Sequence, residues 1–83
     1  MQTVVLSKLA AKALRRMPAN EAARVRGKIE QLAAAPEELA NNVTALVGSP
    51  FFRLRVGNWR VIFDAAGNVL NIVAIGPRGG IYE

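Results

Sequence analysis

The sequence predicts a small α+β domain in which a helical hairpin packs on an antiparallel sheet, in the order β-α-α-β-β-β. Three observations predict it. Two amphipathic helical stretches separated by a proline fill the first half. Apolar, β-branched runs divided by glycine-containing turns fill the second. Between them, Phe52 to Asp64 (FRLRVGNWRVIFD) reads as a hairpin about Gly57-Asn58, a pair that tolerates the positive φ angles of a two-residue turn.

Taken in order, Thr3 to Leu6 is a short β-branched run, expected as an edge strand able to pair with the last long strand. Ser7 is placed to cap the first helix, which runs from about Lys8 to Met17 and ends at Pro18. Leu9, Ala10, Ala13, Leu14 and Met17 recur at helical spacing and form its expected buried stripe. Lys8, Lys12, Arg15 and Arg16 lie mostly along another face with no acidic residue among them. That face is either simply solvated or a contact for phosphate or an acidic partner. Asn20 is the candidate cap of the second helix, which extends to about Ala35, before Pro36. Ala22, Val25, Ile29, Leu32 and Ala33 make its inner stripe. Pro36 to Pro50 is expected as a connection with a short helical turn through Glu38 to Asn41, pinned to the core by Leu46 and Val47.

The Gly57-Asn58 turn sets a register: Val56 opposite Trp59, Arg55 opposite Arg60, Leu54 opposite Val61, Arg53 opposite Ile62, Phe52 opposite Phe63. Side chains alternate along a strand. One face therefore collects Phe52, Leu54, Val56, Trp59, Val61 and Phe63 for the core, and the other Phe51, Arg53, Arg55, Arg60 and Ile62. Like charges directly opposite each other destabilise a sheet. An anionic ligand would relieve the Arg55–Arg60 repulsion; solvation, or pairing with Asp64 or a helix carboxylate, are the other readings. Asp64 to Asn68 forms a second turn. Val69 to Ile75 is a third strand, central and covered, with Leu70, Ile72 and Ala74 on one face and Val73 and Ile75 on the other. Gly76-Pro77-Arg78-Gly79-Gly80 breaks it.

The 83 residues are expected to form one domain over 1–83, and 52% hydrophobic content is enough for a core. Eleven basic against six acidic residues, a formal charge of +5, favours an acidic partner such as nucleic acid, an acidic protein segment or an anionic surface. No apolar run reaches transmembrane length and the start lacks a signal-peptide layout, so a soluble cytoplasmic protein is expected. There is no Cys and no His. Disulfides, thiol nucleophiles and histidine acid–base chemistry are excluded. Any catalysis draws on Arg, Lys, Tyr, Glu or the substrate's own groups.

Two stretches resemble a known family. Gly48 to Phe63 (GSPFFRLRVGNWRVIF) is similar to the central hairpin of RelE-type toxins of bacterial toxin–antitoxin systems. Ile75 to Tyr82 (IGPRGGIY) resembles their ending, a glycine-flanked arginine followed by a hydrophobic-tyrosine pair. The helical hairpin and its position fit as well, so the likeness to the RelE/ParE superfamily covers nearly the whole chain. It implies a RelE-like fold and a ribosome-dependent, metal-independent mRNA endoribonuclease that inhibits translation and needs no cofactor. In that chemistry the ribose 2′-hydroxyl attacks the adjacent phosphate, so the substrate supplies the nucleophile. The resemblance also implies a cognate antitoxin, with which the toxin forms a hetero-oligomer, and the ribosome and mRNA as partners; no membrane partner and no metal are expected.

Carried over by position, the resemblance gives catalytic roles to Arg60, which would hold the scissile phosphate, and to Arg78, which would stabilise the transition state or leaving group. Tyr82 would orient the base or transfer a proton; alternatively its ring is simply buried. Arg53 stands where well-studied members carry a catalytic lysine, and Arg55 at a basic position beside it. Phe51 stands where some members have a second lysine, and on the arginine face it would stack on a base. With Arg55 and Phe51, the helix cations Lys8, Lys12, Arg15 and Arg16 complete the candidate RNA-binding set. The missing lysines matter because lysine gives up a proton when its environment demands it and arginine effectively does not. A ParE-like inhibitor of DNA gyrase, or a catalytically degenerate module that binds antitoxin or RNA, are the rival readings.

Overall fold

The central hairpin forms in the expected register. In the computed structural model, which describes residues 1–80, β3 (Phe52–Val56) and β4 (Trp59–Ala66) pair antiparallel, with Arg55 opposite Arg60 and Phe52 opposite Phe63. Gly57 takes a φ of 57°, the left-handed conformation the turn requires. The Phe52 and Phe63 rings stack, their centroids 5.5 Å apart.

The remaining elements are β1 (Thr3–Leu6), α1 (Lys8–Arg16), α2 (Ala19–Ala34), a 3-10 helix (Pro36–Asn42), β2 (Val43–Ala45) and β5 (Val69–Pro77). The five strands lie in the order β1-β5-β4-β3-β2. The expected α+β class, helices on one face of a sheet, is what the structure shows. Two details differ. β1 runs parallel to β5, so the sheet is mixed rather than wholly antiparallel. The connection after α2 also contributes a fifth strand, β2, paired antiparallel to β3 with Thr44 opposite Arg53. Three residues carry too weak a local pattern to be read as a strand; pairing with β3 makes them one.

Ser7 caps α1 as expected. Its hydroxyl accepts from the Ala10 N–H at 3.0 Å and donates to the Val73 carbonyl at 2.7 Å, tying the helix start to β5. The Asn20 cap does not form. Pro18 occupies the cap position with no side-chain hydrogen bond, and the helix begins one residue before Asn20. Pro18 has no N–H to satisfy, and its fixed φ leads the chain directly into the helix at Ala19.

The core gathers Ala10, Leu14 and Met17 of α1, Val25, Ile29, Leu32 and Ala33 of α2, Leu39 of the 3-10 helix, and Leu54, Val56, Val61, Phe63, Leu70, Ile72 and Ile75 of the sheet. Leu9 is not part of it; 70% exposed, it lies at the edge of the α1 stripe. Val47 is fully exposed and pins nothing, because it sits in the loop beyond β2. Trp59 is half-buried against the core, and its indole N–H donates to a Glu21 carboxylate oxygen at 2.9 Å, linking β4 to α2.

β5 departs from simple alternation. Ile62 pairs with Ala74 but Phe63 pairs with Ile72, so Val73 is an extra residue in the ladder. Such a bulge shifts the phase of the strand. Leu70 and Ile72 face the helices as expected, but beyond the bulge Ile75, not Ala74, enters the core. The turn before β5 is tighter than expected: β4 continues through Ala66, and Gly67-Asn68, with Gly67 at φ 59°, joins it to Val69.

Candidate functional site: a basic pocket on the open face of the sheet

Both helices cover one face of the sheet. On the other, alternation brings Thr44, Arg53, Ile62 and Ala74 into one cross-strand row, and Arg55, Arg60 and Gly76 into the next. Together with the end of the 3-10 helix these rows form a pocket of about 150 Å³, lined by Asn41, Asn42, Thr44, Arg53, Arg55 and Arg60. Among the described residues that line it, none is acidic.

The two arginines expected to repel each other have different environments. Arg55 is exposed, whereas Arg60 is only 9% exposed. The Arg60 Nη1 donates to the carbonyls of Gly57 and Trp59, each at 3.0 Å. Its guanidinium is thus folded back on the turn of its own hairpin and held there. Desolvating a guanidinium is costly unless its N–H groups find acceptors, and the turn carbonyls are such acceptors. Hydrogen bonding to the turn thus accommodates part of the Arg60 charge. Arg53 is half-buried at the pocket wall.

A second arginine pair frames the turn. The Arg78 N–H donates to the Asn58 carbonyl at 2.7 Å, so Arg78 stands beside the hairpin tip with its side chain exposed. Arg24 of α2 lies against Gly57, its guanidinium where a side chain at that position would begin. Gly57 is required for its positive φ; a side chain there would also displace the flexible Arg24 guanidinium.

The structure brings Arg53, Arg55 and Arg60 together, with Arg78 at the adjoining turn. It does not bring the other candidates into the pocket. Phe51 is half-buried just ahead of β3, its N–H bonded to the Ser49 hydroxyl at 2.9 Å. Lys8, Lys12, Arg15 and Arg16 are exposed on α1, which packs on the opposite face of the sheet. Tyr82 lies outside the described residues. Asn41, Asn42 and Thr44 were not singled out from the sequence. The alternation of polar Thr44 between Val43 and Ala45 was the available signal for them, and it acquires meaning only once β2 pairs with β3. Among the described residues, no group of three or more Asp and Glu side chains comes together as a metal site.

A larger groove of about 450 Å³ opens elsewhere, at the end of α2, lined by Leu32, Val43, Phe52, Phe63 and Leu70 among others. It is almost wholly apolar, and among the described residues that line it none is charged.

The molecule is a small helix-on-sheet fold of RelE-like architecture with an arginine-lined pocket on its uncovered face. The structure is similar to an archaeal RelE–RelB complex from Pyrococcus horikoshii OT3, with a TM-score of 0.80 and 27% identity, covering 95% of this chain and 97% of that one. It is similar to the isolated Escherichia coli RelE toxin, with a TM-score of 0.77 and 14% identity over 94% and 85% of the two chains. The intact E. coli RelBE toxin–antitoxin complex gives a TM-score of 0.74 and 17% identity over 93% and 96%. No curated protein sequence matches the chain. A family model described as the ParE toxin of the type II toxin–antitoxin system parDE matches residues 4–82. The chain belongs to this family of toxins, within the RelE/ParE superfamily.

Proposed function

We propose that this toxin cuts mRNA on the ribosome, without a metal, by promoting attack of a ribose 2′-hydroxyl on the adjacent phosphate. The observation that carries the reading is the pocket in which Arg53, Arg55 and Arg60 converge. In this reaction a bond forms from the 2′-oxygen to phosphorus as the bond to the 5′-oxygen breaks, leaving a cyclic phosphate and a 5′-hydroxyl. Negative charge grows on the non-bridging oxygens. Guanidinium groups already fixed in place stabilise that charge more than they stabilise the ground state.

Arg60 is suited to be the fixed charge, since its bonds to the turn hold it before substrate arrives. Arg53 and Arg55 supply further N–H donors around the phosphate. Arg78, beside the turn, is assigned to the leaving group, and Tyr82 to proton transfer. Phe51 is assigned to base stacking. The cations of α1, on the other side of the sheet, are assigned to phosphates remote from the cut. The partners follow: the ribosome and mRNA, in the cytoplasm where they meet, and an acidic antitoxin that folds as it wraps the basic surface. The relatives of known structure that are described as RelE–RelB complexes support such an antitoxin. The apolar groove beside Phe52 supplies surface for its hydrophobic side chains.

The match to the ParE family model favours a second reading, in which the toxin inhibits DNA gyrase and the arginines bind a partner without cutting RNA. One experiment separates the two. Folded, antitoxin-free toxin is added to ribosomes programmed with mRNA and, in parallel, to a gyrase supercoiling assay. Cleavage of mRNA supports the nuclease; gyrase inhibition without cleavage supports the second reading. Neither activity would leave a binding module.

A further inference from the structure

The described residues that line the pocket fall into two chemically different sets. In one set, Arg53, Arg55 and Arg60 offer only hydrogen-bond donors, as guanidinium groups must. The other set, Asn41, Asn42 and Thr44, carries acceptors as well. For Asn42 the orientation is settled by chemistry. Its side-chain amide lies 3.4 Å from the Arg55 carbonyl oxygen. A carbonyl accepts and cannot donate, so the amide nitrogen faces it and the amide oxygen is directed elsewhere. Asn42 lines the pocket with that oxygen left over, an acceptor beside the donor-only arginines. A phosphate has no use for that acceptor; a hydroxyl or N–H does.

Size narrows the choice. A pocket of about 150 Å³ is well below the ~300 Å³ at which sites for whole drug-sized molecules begin. It admits one part of a polymer whose remainder lies across the open sheet. A base edge stands too far from the backbone phosphate for both to enter so small a space. The 2′-hydroxyl of the same nucleotide is adjacent to that phosphate.

We propose that Asn42 is a ribose-recognition residue: its amide oxygen accepts a hydrogen bond from the 2′-hydroxyl of the nucleotide whose phosphate the arginines hold. The pocket thereby distinguishes RNA from DNA and orients the hydroxyl that the proposed reaction uses. This inference rests on the RNA-cleavage reading and deepens it. Asn42 removes no proton; it binds and positions.

The test is equilibrium binding of an unstructured RNA oligonucleotide and of the DNA oligonucleotide of the same sequence to the antitoxin-free toxin. Fluorescence anisotropy supplies the measurement. Wild type is expected to bind the RNA about fivefold more tightly, the worth of one neutral hydrogen bond. Asn42→Ala should erase that ratio by weakening RNA binding while leaving DNA binding unchanged. Asn42→Leu, of similar shape but without an acceptor, should do the same. Arg53→Ala should weaken both nucleic acids together and leave the ratio intact. An RNA-to-DNA ratio that survives both Asn42 substitutions overturns the assignment, as does a wild type that binds the two equally. Ribosomal cleavage by wild type is scored separately. Cleavage together with an unchanged ratio in the Asn42 variants overturns the ribose assignment alone, and absence of cleavage overturns the nuclease reading.

Discussion

Replacing Arg60 with alanine removes a group proposed to act on RNA, and it also removes a brace from the hairpin. The structural part can be worked out. Nη1 donates to two carbonyls at 3.0 Å each, from a side chain only 9% exposed. A hydrogen bond from a charged donor contributes about 1.5–3 kcal/mol. Here one nitrogen serves both acceptors, and Gly57 is exposed, so water takes over part of the loss. Relief of the repulsion with Arg55 and of the guanidinium's desolvation offsets more. The net destabilisation is therefore about 1–3 kcal/mol. At roughly 4–8 °C per kcal/mol for a domain this small, the unfolding midpoint should fall by about 5–20 °C. Arg55→Ala, at an exposed position, should stay within about 0.5 kcal/mol of wild type. Thermal unfolding followed by circular dichroism measures both. An Arg60→Ala midpoint equal to wild type, or an Arg55→Ala loss as large as that of Arg60→Ala, would refute the brace. The practical consequence is that lost activity in Arg60→Ala is informative only at a temperature where the variant is folded.

Ser7→Ala removes both the α1 cap and the bond to the bulged residue's carbonyl, and should cost about 1–2 kcal/mol in urea unfolding. Trp59→Phe keeps the packing of the ring but loses the bond to Glu21, and should cost about 1–2 kcal/mol by the same assay. Replacing Lys12 and Arg16 by glutamine on the far side of the sheet should reduce the salt dependence of ribosome binding, because fewer counterions are released. It should leave the single-turnover cleavage rate at saturating toxin unchanged; a slower rate would place those cations at the cut.

Local chemistry made the hairpin legible. A two-residue Gly-Asn turn fixes register, and register fixes which side chains share a face. Arg53, Arg55 and Arg60 therefore fell together from the sequence. The helical stripes were legible for the same reason, apart from Leu9 at the stripe's edge. The Gly67-Asn68 turn carried the same signal as Gly57-Asn58 but was obscured by the flanking Asp64-Ala65-Ala66, which the ladder draws into β4. What could not be read locally depends on distant partners. The bulge at Val73 sends Ile75 into the core in place of Ala74, and nothing within β5 announces it. β2 exists because β3 lies beside it. The neutral residues lining the pocket, Asn41, Asn42 and Thr44, come from a stretch about ten residues from the arginines in sequence and adjacent to them only in the folded sheet. The fold back of Arg60 onto its turn likewise needs three dimensions.

The most direct test of the central claim is single-turnover cleavage of mRNA on programmed ribosomes by wild type and by Arg53→Ala, with both proteins shown to be folded. Product ends are examined at the same time. The account predicts cleavage by wild type that leaves a cyclic phosphate and a 5′-hydroxyl, slowed about 10²–10³-fold in Arg53→Ala, as expected for loss of one preorganised donor. No cleavage by folded, antitoxin-free wild type, or equal rates for the two proteins, would contradict it.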